Sequence, residues 1–85
     1  MIEIITTAHP ERPCRVFVLN DTFEGTSENY APRYCDCWAN EVVKFSIDYA
    51  KSFNAERIRY TGPIDYCNEL VKETRKRIDV PVEVF

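Results

Sequence analysis

Two cysteines with a single residue between them, Cys35 and Cys37, are side chains that could carry metal or thiol chemistry. We predict that they lie near the N-terminus of a helix, where the pKa of a thiol falls and the thiolate can react or bind metal. A structural zinc site normally takes two such pairs with wider spacing. Cys14, Cys67 and His9 are the remaining partners, and they are distant in the sequence. Zinc binding through Cys35 and Cys37 is therefore one alternative function. Redox chemistry is disfavoured because there is no C-x-x-C motif.

A second set of candidates lies where we expect strands to end, and its members could bind a small ligand: Asn20, Asp21, Glu24, Thr61, Gly62 and Asp65. Open α/β sheets bind ligands at the carboxyl ends of their parallel strands. A helix N-terminus at that place favours an anion such as phosphate, and carboxylates favour magnesium. The two glycines of the chain, Gly25 and Gly62, cannot form a phosphate loop or a dinucleotide fingerprint. A small-molecule, phosphate or nucleotide site is a second alternative.

The third set of candidates belongs to a long irregular segment, residues 20–33, together with the residue that follows it. Tyr30, Arg33 and Tyr34 are of the types enriched in interface hot spots. Long loops in small domains are commonly functional. An alternating strand also leaves one polar sheet face and a strand edge for a second chain. The leading hypothesis is a small non-enzymatic interaction or accessory protein that acts through this segment and a sheet surface.

The composition and charge of the chain limit which other classes of function it can have. The chain has 85 residues, of which 45% are hydrophobic and 29% charged, and this balance is typical of one globular domain spanning 1–85. Its formal net charge is -3. The basic cluster formed by Lys72, Arg75, Lys76 and Arg77 falls at the expected end of a helix, where cations complement the helix dipole. Nucleic acid is therefore not an expected partner. The expected partner is another protein or a second copy of the chain.

The expected location is the cytoplasm, or the host cytoplasm if the chain comes from a phage or mobile element. We find no stretch of about 18 consecutive apolar residues and no secretory signal, so no membrane association is predicted. Thiols in that compartment stay reduced, and we expect Cys14 and Cys67 to be small apolar core residues. No cofactor is expected, and magnesium or zinc enters only through the two alternatives above.

Hydrophobic periodicity predicts the elements that position these residues. Strands are predicted at 2–7, 14–19, 56–61 and 80–85, with the first two paired as an antiparallel hairpin. The stripe Trp38, Val42, Phe45, Tyr49 and Phe53 predicts a helix over about 34–54. Pro63 begins a second helix whose inner face is formed by Cys67, Leu70, Val71, Thr74 and Ile78.

The order β-β-α-β-α-β predicts an α/β fold. Strands separated by helices are parallel neighbours joined by crossovers, and the polar alternation of 56–61 and 80–85 leaves one sheet face uncovered. We therefore predict a two-layer sandwich with a small, mostly parallel four-stranded sheet and two helices on one face. The run Tyr60-Thr61-Gly62-Pro63 occurs in outline in many βαβ proteins and identifies no family.

Overall fold

Seven elements make up the described part of the chain, residues 2–20 and 33–85 of a computed structural model. In chain order they are β1 (Ile2–Thr7), β2 (Cys14–Asn20), β3 (Arg33–Cys37), α1 (Val42–Ser52), β4 (Arg57–Thr61), α2 (Ile64–Arg75) and β5 (Val82–Val84). Neither helix in these residues is long and apolar enough to cross a membrane.

The strands of the described residues form one mixed sheet in the order β3-β2-β1-β4-β5. β1 pairs antiparallel with β2, as predicted, and β2 pairs antiparallel with β3. β4 lies parallel to β1 on one side and to β5 on the other. The α/β class is therefore confirmed, whereas the predicted four-stranded, mostly parallel sheet is wrong. It has a fifth strand, and half of its four pairings are antiparallel.

The additional strand arises where the sequence predicted the first two turns of a helix. Residues 33–37 form β3, a turn follows in which the Glu41 N–H donates to the carbonyl oxygen of Trp38 at 2.9 Å, and α1 begins at Val42. Trp38 fits the helical stripe by its spacing, but it precedes the helix and is 56% exposed. The prediction failed because Trp38, four positions before Val42, matches the period of a helix. The alternation that indicates a strand extends over only a few residues around Cys35 and Cys37, so it gives a weaker signal than the helical stripe.

Both helices cover the same face of the sheet, which makes the fold a two-layer sandwich. Thr6 in β1 and Tyr60 in β4 lie opposite each other in the sheet register. The hydroxyl of Thr6 lies 2.8 Å from that of Ser46 in α1, and the Tyr60 hydroxyl lies 2.7 Å from that of Thr74 in α2. α1 also contacts α2. The two helices therefore share one layer above these strands.

The core between the layers is apolar apart from these hydroxyl pairs and the hydroxyl of Tyr66, which packs against the core and is buried without a hydrogen-bond partner among the described residues. The four paired hydroxyl groups form a connected set with the helix backbone. Ser46 and Thr74 donate to the carbonyl oxygens of Val42 and Leu70 one helical turn earlier, at 2.8 and 2.7 Å. Their oxygens are thus left to accept from Thr6 and Tyr60. Pairing of this kind avoids the cost, about 1–3 kcal/mol, of a buried unsatisfied group. The predicted inner face of the second helix is confirmed for Cys67, Leu70, Val71 and Thr74, which are buried. Ile78, predicted on the same face, lies beyond the end of α2 and packs against the core while partly buried.

Candidate functional site

The sheet face opposite the helices, here called the open face, is not covered by α1 or α2. Because side chains alternate along a strand, the neighbours of Thr6 and Tyr60 point away from the helices. On β1 these are Ile5 and Thr7, and on β4 they are Arg59 and Thr61. The strand register extends the open face across the sheet, so that one row of five side chains runs from edge to edge: Tyr34, Phe17, Ile5, Arg59 and Glu83.

One half of the open face, on β3, β2 and β1, is apolar. Its members are Ile5, Phe17, Leu19 and Tyr34, which we call the apolar group. Phe17 stands opposite both Ile5 and Tyr34 in the register, and the Phe17 and Tyr34 rings lie 6.0 Å apart between centroids. Ile5, Phe17 and Leu19 are partly exposed, and Tyr34 is 50% exposed. Side chains of this size and type, left partly in water, are typical of interaction surfaces.

The other half of the open face, on β1, β4 and β5, carries ion pairs. We call Glu3, Arg57, Arg59 and Glu83 the charged group. The Glu3 carboxylate accepts from both Nε and Nη2 of Arg57, the former at 3.2 Å. The Arg59 Nε lies 3.4 Å from a carboxylate oxygen of Glu83 and 3.8 Å from one of Glu3. Glu3 is only 7% exposed, so this carboxylate depends on the two guanidinium groups beside it.

A further ion pair borders the apolar group. Arg15 on β2 stands opposite Asp36 on β3 and donates to its two carboxylate oxygens at 2.6 and 3.1 Å. The hydrogen bonding raises the pKa of Arg15 and lowers the pKa of Asp36, so both remain charged. The Arg15 guanidinium also lies over the Tyr34 ring, 4.3 Å from its centroid. The contact holds the exposed Tyr34 ring in a defined position on the face.

The open face differs from the helix layer in the type of cation that it carries. In the described strands it presents three arginines, Arg15, Arg57 and Arg59, and three carboxylates, Glu3, Asp36 and Glu83, so its formal charge is zero. The lysines of the chain lie in or directly after the two helices, at positions 44, 51, 72 and 76. The arginines on this face are held by carboxylates or aromatic rings, whereas the lysines belong to the outer helical layer.

The predicted interaction residues separate in the structure. Tyr34 lies on the open face. Arg33 points to the helix side, with its guanidinium 5.3 Å from the centroid of the Phe53 ring. Tyr30 lies outside the described residues. Sequence reasoning missed Ile5, Phe17 and Leu19, because the apolar residues of β1 and β2 occur in unbroken runs that do not show which side chains face away from the core.

The predicted strand-end ligand residues do not meet at one edge of the sheet. Asn20, the last residue of β2, pairs with Ile2 at one end of β1, whereas Thr61 pairs with Thr7 at the other end. The two ends are separated because β2 runs antiparallel to β1, and only the parallel strands β1, β4 and β5 share a carboxyl edge. Asp21 and Glu24 lie outside the described residues.

Gly62 and Asp65 have local structural roles. Gly62 has φ of +147°, and a Cβ atom there would lie 2.1 Å from the carbonyl oxygen of Ala8. The glycine is therefore needed where β4 leaves the sheet and passes the end of β1. Asp65 is an exposed acidic residue in the first turn of α2, where a carboxylate complements the helix dipole.

The cysteine pair lies on β3 rather than at a helix N-terminus. Cys35 and Cys37 are two residues apart on one strand and therefore face the same side, toward α1, with Cys37 buried opposite Cys14. Burial, together with the nearby Cys14 and Cys35 thiols, raises the pKa of Cys37 to about 11, so the predicted lowering of the pKa is wrong for this residue. Among the described residues, no group of three or more His, Cys, Asp or Glu side chains is placed to hold a metal ion. Cys14 and Cys67 are buried core residues, as predicted.

Alkaline pH is expected to destabilise the protein through Cys37. The unfolded thiol loses its proton near its ordinary pKa of 9.0, whereas the folded thiol keeps its proton up to about 11. The stabilisation is therefore complete below the unfolded pKa and is lost as the pH rises through the folded one, by about 1.4 kcal/mol per pH unit. Urea unfolding under reducing conditions, measured from about pH 8 to about pH 11, should show a shallower decline for Cys37→Ala than for the wild type. Equal slopes for the two proteins would contradict the assignment.

No protein family, no curated protein and no solved structure matches the chain.

Proposed function

We propose that the chain is a small, non-enzymatic interaction protein that binds another protein chain through the open face of its sheet. The observation that carries the proposal is the composition of this face. Phe17 and Tyr34 lie beside partly exposed aliphatic residues, and the positively charged residues of its described strands are arginines. Protein interfaces are enriched in aromatic residues and arginine and depleted of lysine. The four lysines of the chain lie in or directly after the helices instead.

The charge balance of the face favours a protein over a nucleic acid. Nucleic-acid binding draws its affinity from an excess of lysine and arginine against phosphate. On the open face every arginine lies within 4 Å of a carboxylate, through the pairs with Asp36, Glu3 and Glu83. A partner of this face would need an apolar centre for Phe17 and Tyr34 and balanced or neutral surroundings.

The shape of the face favours a macromolecule over a small ligand. Small molecules bind in concave sites that bury most of their surface, whereas the described residues of the open face stand side by side on one face of a five-stranded sheet. The strand-end ligand site and the metal site stay predictions, because no observation among the described residues favours either of them over the open face.

Site-specific photocrosslinking tests the proposal. A photoreactive phenylalanine analogue would replace Tyr34 on the open face or, as the control, Asn68 on the exposed side of α2, in the cells from which the gene comes. We expect a discrete protein adduct from position 34 and none from position 68, and we expect Phe17→Arg in the same chain to abolish it. Equal adducts at both positions, no adduct at position 34, or an adduct that survives Phe17→Arg would overturn the proposal.

A further inference from the structure

We infer that Cys14 on β2 and Cys37 on β3 form a reversible disulfide when the chain meets a low-molecular-weight disulfide such as oxidised glutathione. In the structure both residues are free thiols. They stand directly opposite each other in the strand register, and both are buried on the helix side of the sheet, at 1% and 5% exposure. The pair belongs to the core rather than to the open face, so the inference does not rest on the proposed function.

The backbone geometry of this pair suits a disulfide. Residues directly opposite each other in antiparallel strands have Cα atoms about 4.5 or 5.5 Å apart, and both distances fall within the range of about 4.4–6.8 Å that disulfides take. The Cβ atoms of such pairs lie about 4.5–5.5 Å apart, so they need to approach by about 1 Å to reach disulfide distances. β3 is an edge strand with one neighbour in the described sheet, so it can move this far without disturbing another strand pair.

The other two cysteines are poorly placed to compete. Cys35 is displaced by two residues from the position opposite Cys14, and such diagonal neighbours lie about 7–8 Å apart, beyond the reach of a disulfide. Cys35 and Cys37 are two residues apart on one strand, about 6.7 Å between Cα atoms, at the far end of the disulfide range. The Cys67 thiol lies beside Gly62, where β4 leaves the sheet on the far side of β1 from β2. The register therefore selects Cys14 and Cys37.

Formation of the bond changes what the Cys14 thiol contacts. In the reduced protein its Sγ accepts from the His9 N–H and donates to the His9 carbonyl oxygen, both at 3.4 Å, in the turn that joins β1 to β2. Because β1 and β3 lie on opposite sides of β2, this thiol must rotate about χ1 toward Cys37, from one staggered rotamer to another. The disulfide then replaces two weak hydrogen bonds of sulfur with a covalent link.

The chemistry is thiol–disulfide exchange, and it balances with one molecule of oxidised glutathione. The thiolate of one cysteine attacks a glutathione sulfur, forms a mixed disulfide and releases the first reduced glutathione. The thiolate of the other cysteine attacks the protein sulfur of that mixed disulfide and releases the second. The two protein thiols lose two electrons and two protons, and the glutathione disulfide gains them. Since both thiols are buried, the exchange is slow and requires a transient opening of β3.

The bond acts as a staple on the edge strand. It closes the chain between the two cysteines, residues 15–36, into a loop, and a loop of this length stabilises a protein by restricting its unfolded chain. The equilibrium constant for unfolding is therefore expected to fall about 100-fold on oxidation. The same bond fixes β3, which carries Tyr34 and Asp36 of the open face, against β2. Oxidation of the chain and attachment of β3 are thereby coupled.

Disulfide mapping of the purified chain tests the inference. The reduced, folded protein is equilibrated with decreasing ratios of reduced to oxidised glutathione, its free thiols are blocked by alkylation, and its tryptic peptides are analysed by mass spectrometry without reduction. We expect one bridge, between the peptides 1–15 and 34–44, and fragmentation should assign it to Cys37 rather than Cys35. Excess reduced glutathione should reverse it, and the oxidised protein should unfold at a higher urea concentration than the reduced one.

Cys67→Ala is the matched control, since Cys67 is as buried as Cys14 but lies outside the pair. This variant should form the bridge as the wild type does, whereas Cys14→Ala should form none. Mapping of the wild type requires no variant to fold, so it decides the inference by itself. A bridge between Cys35 and Cys37, glutathione adducts in place of a bridge, or thiols that stay reduced in the folded chain while the urea-unfolded chain oxidises would each overturn the inference.

Discussion

Gly62→Ala is expected to destabilise the protein by about 4 kcal/mol. The backbone at Gly62 has φ of +147°, and the added Cβ would lie 2.1 Å from the Ala8 carbonyl oxygen, well inside van der Waals contact. This oxygen belongs to the backbone and cannot rotate away. The Ala8 N–H also donates to the Thr61 carbonyl oxygen at 2.8 Å, which holds the two segments together. Relief of the clash would therefore have to break the β1–β4 end of the sheet.

Urea unfolding followed by circular dichroism measures this effect. Asn54→Ala serves as the control, because Asn54 has φ of 53° and the substitution there tests positive φ in an exposed residue. We expect a loss of about 1 kcal/mol for Asn54→Ala and a much larger one for Gly62→Ala. If Gly62→Ala cost no more than its control, the close approach of Ala8 would be refuted.

Glu3→Gln is expected to destabilise the protein by about 2 kcal/mol. Glu3 is 7% exposed and lies beside Arg57 and Arg59, and the neutral amide would remove the carboxylate charge that both partly buried guanidinium groups face. Removing one member of a buried ion pair costs about 3–5 kcal/mol. The arginine side chains here are 27% and 24% exposed, so water screens them and lowers the expected cost.

The matched control for this prediction is Glu69→Gln. Glu69 forms an ion pair of the same type with Lys72, at 3.6 Å, but both side chains are about 70% exposed. Its removal should change the free energy of unfolding by less than about 0.5 kcal/mol. Chemical denaturation of the two variants at the same ionic strength compares them, and equal losses would show that burial does not strengthen the Glu3 pairs.

The fold was predictable where the hydrophobic period was long and unambiguous. The second helix shows this best, since the recurrence of Cys67, Leu70, Val71 and Thr74 determines both its position and its buried face. β3 was not predictable in the same way. Its five residues are too few to establish a period of two, and Trp38 and Val42 together mimic one turn of a helix. Strand direction was also not encoded locally, because the pairing of β2 with β3 depends on residues far apart in the chain.

The candidate site was predictable only in part. The alternation of residues 56–61 and 80–85 correctly indicated a polar sheet face, and Arg57, Arg59 and Glu83 lie on it. The apolar group could not be assembled from the sequence, because Ile5, Phe17 and Tyr34 become neighbours only through the order β3-β2-β1. The residue types alone suggested that Arg33 and Tyr34 act at one interaction surface. Adjacent residues on a strand face opposite sides, so Arg33 faces the helices and Tyr34 the open face.

The central claim, that the open face is a protein-binding surface, is tested most directly by hydroxyl-radical footprinting of the chain inside cells and as a dilute purified monomer. Tyr34 and Ile64 are similarly exposed, at 50% and 59%, on opposite layers of the same molecule. Each residue is compared with itself in the two conditions, so differences in intrinsic reactivity cancel. We predict that oxidation of Tyr34 falls severalfold in cells relative to the monomer, whereas oxidation of Ile64 does not. Equal oxidation of Tyr34 in both conditions, or equal protection of Tyr34 and Ile64, would contradict the claim.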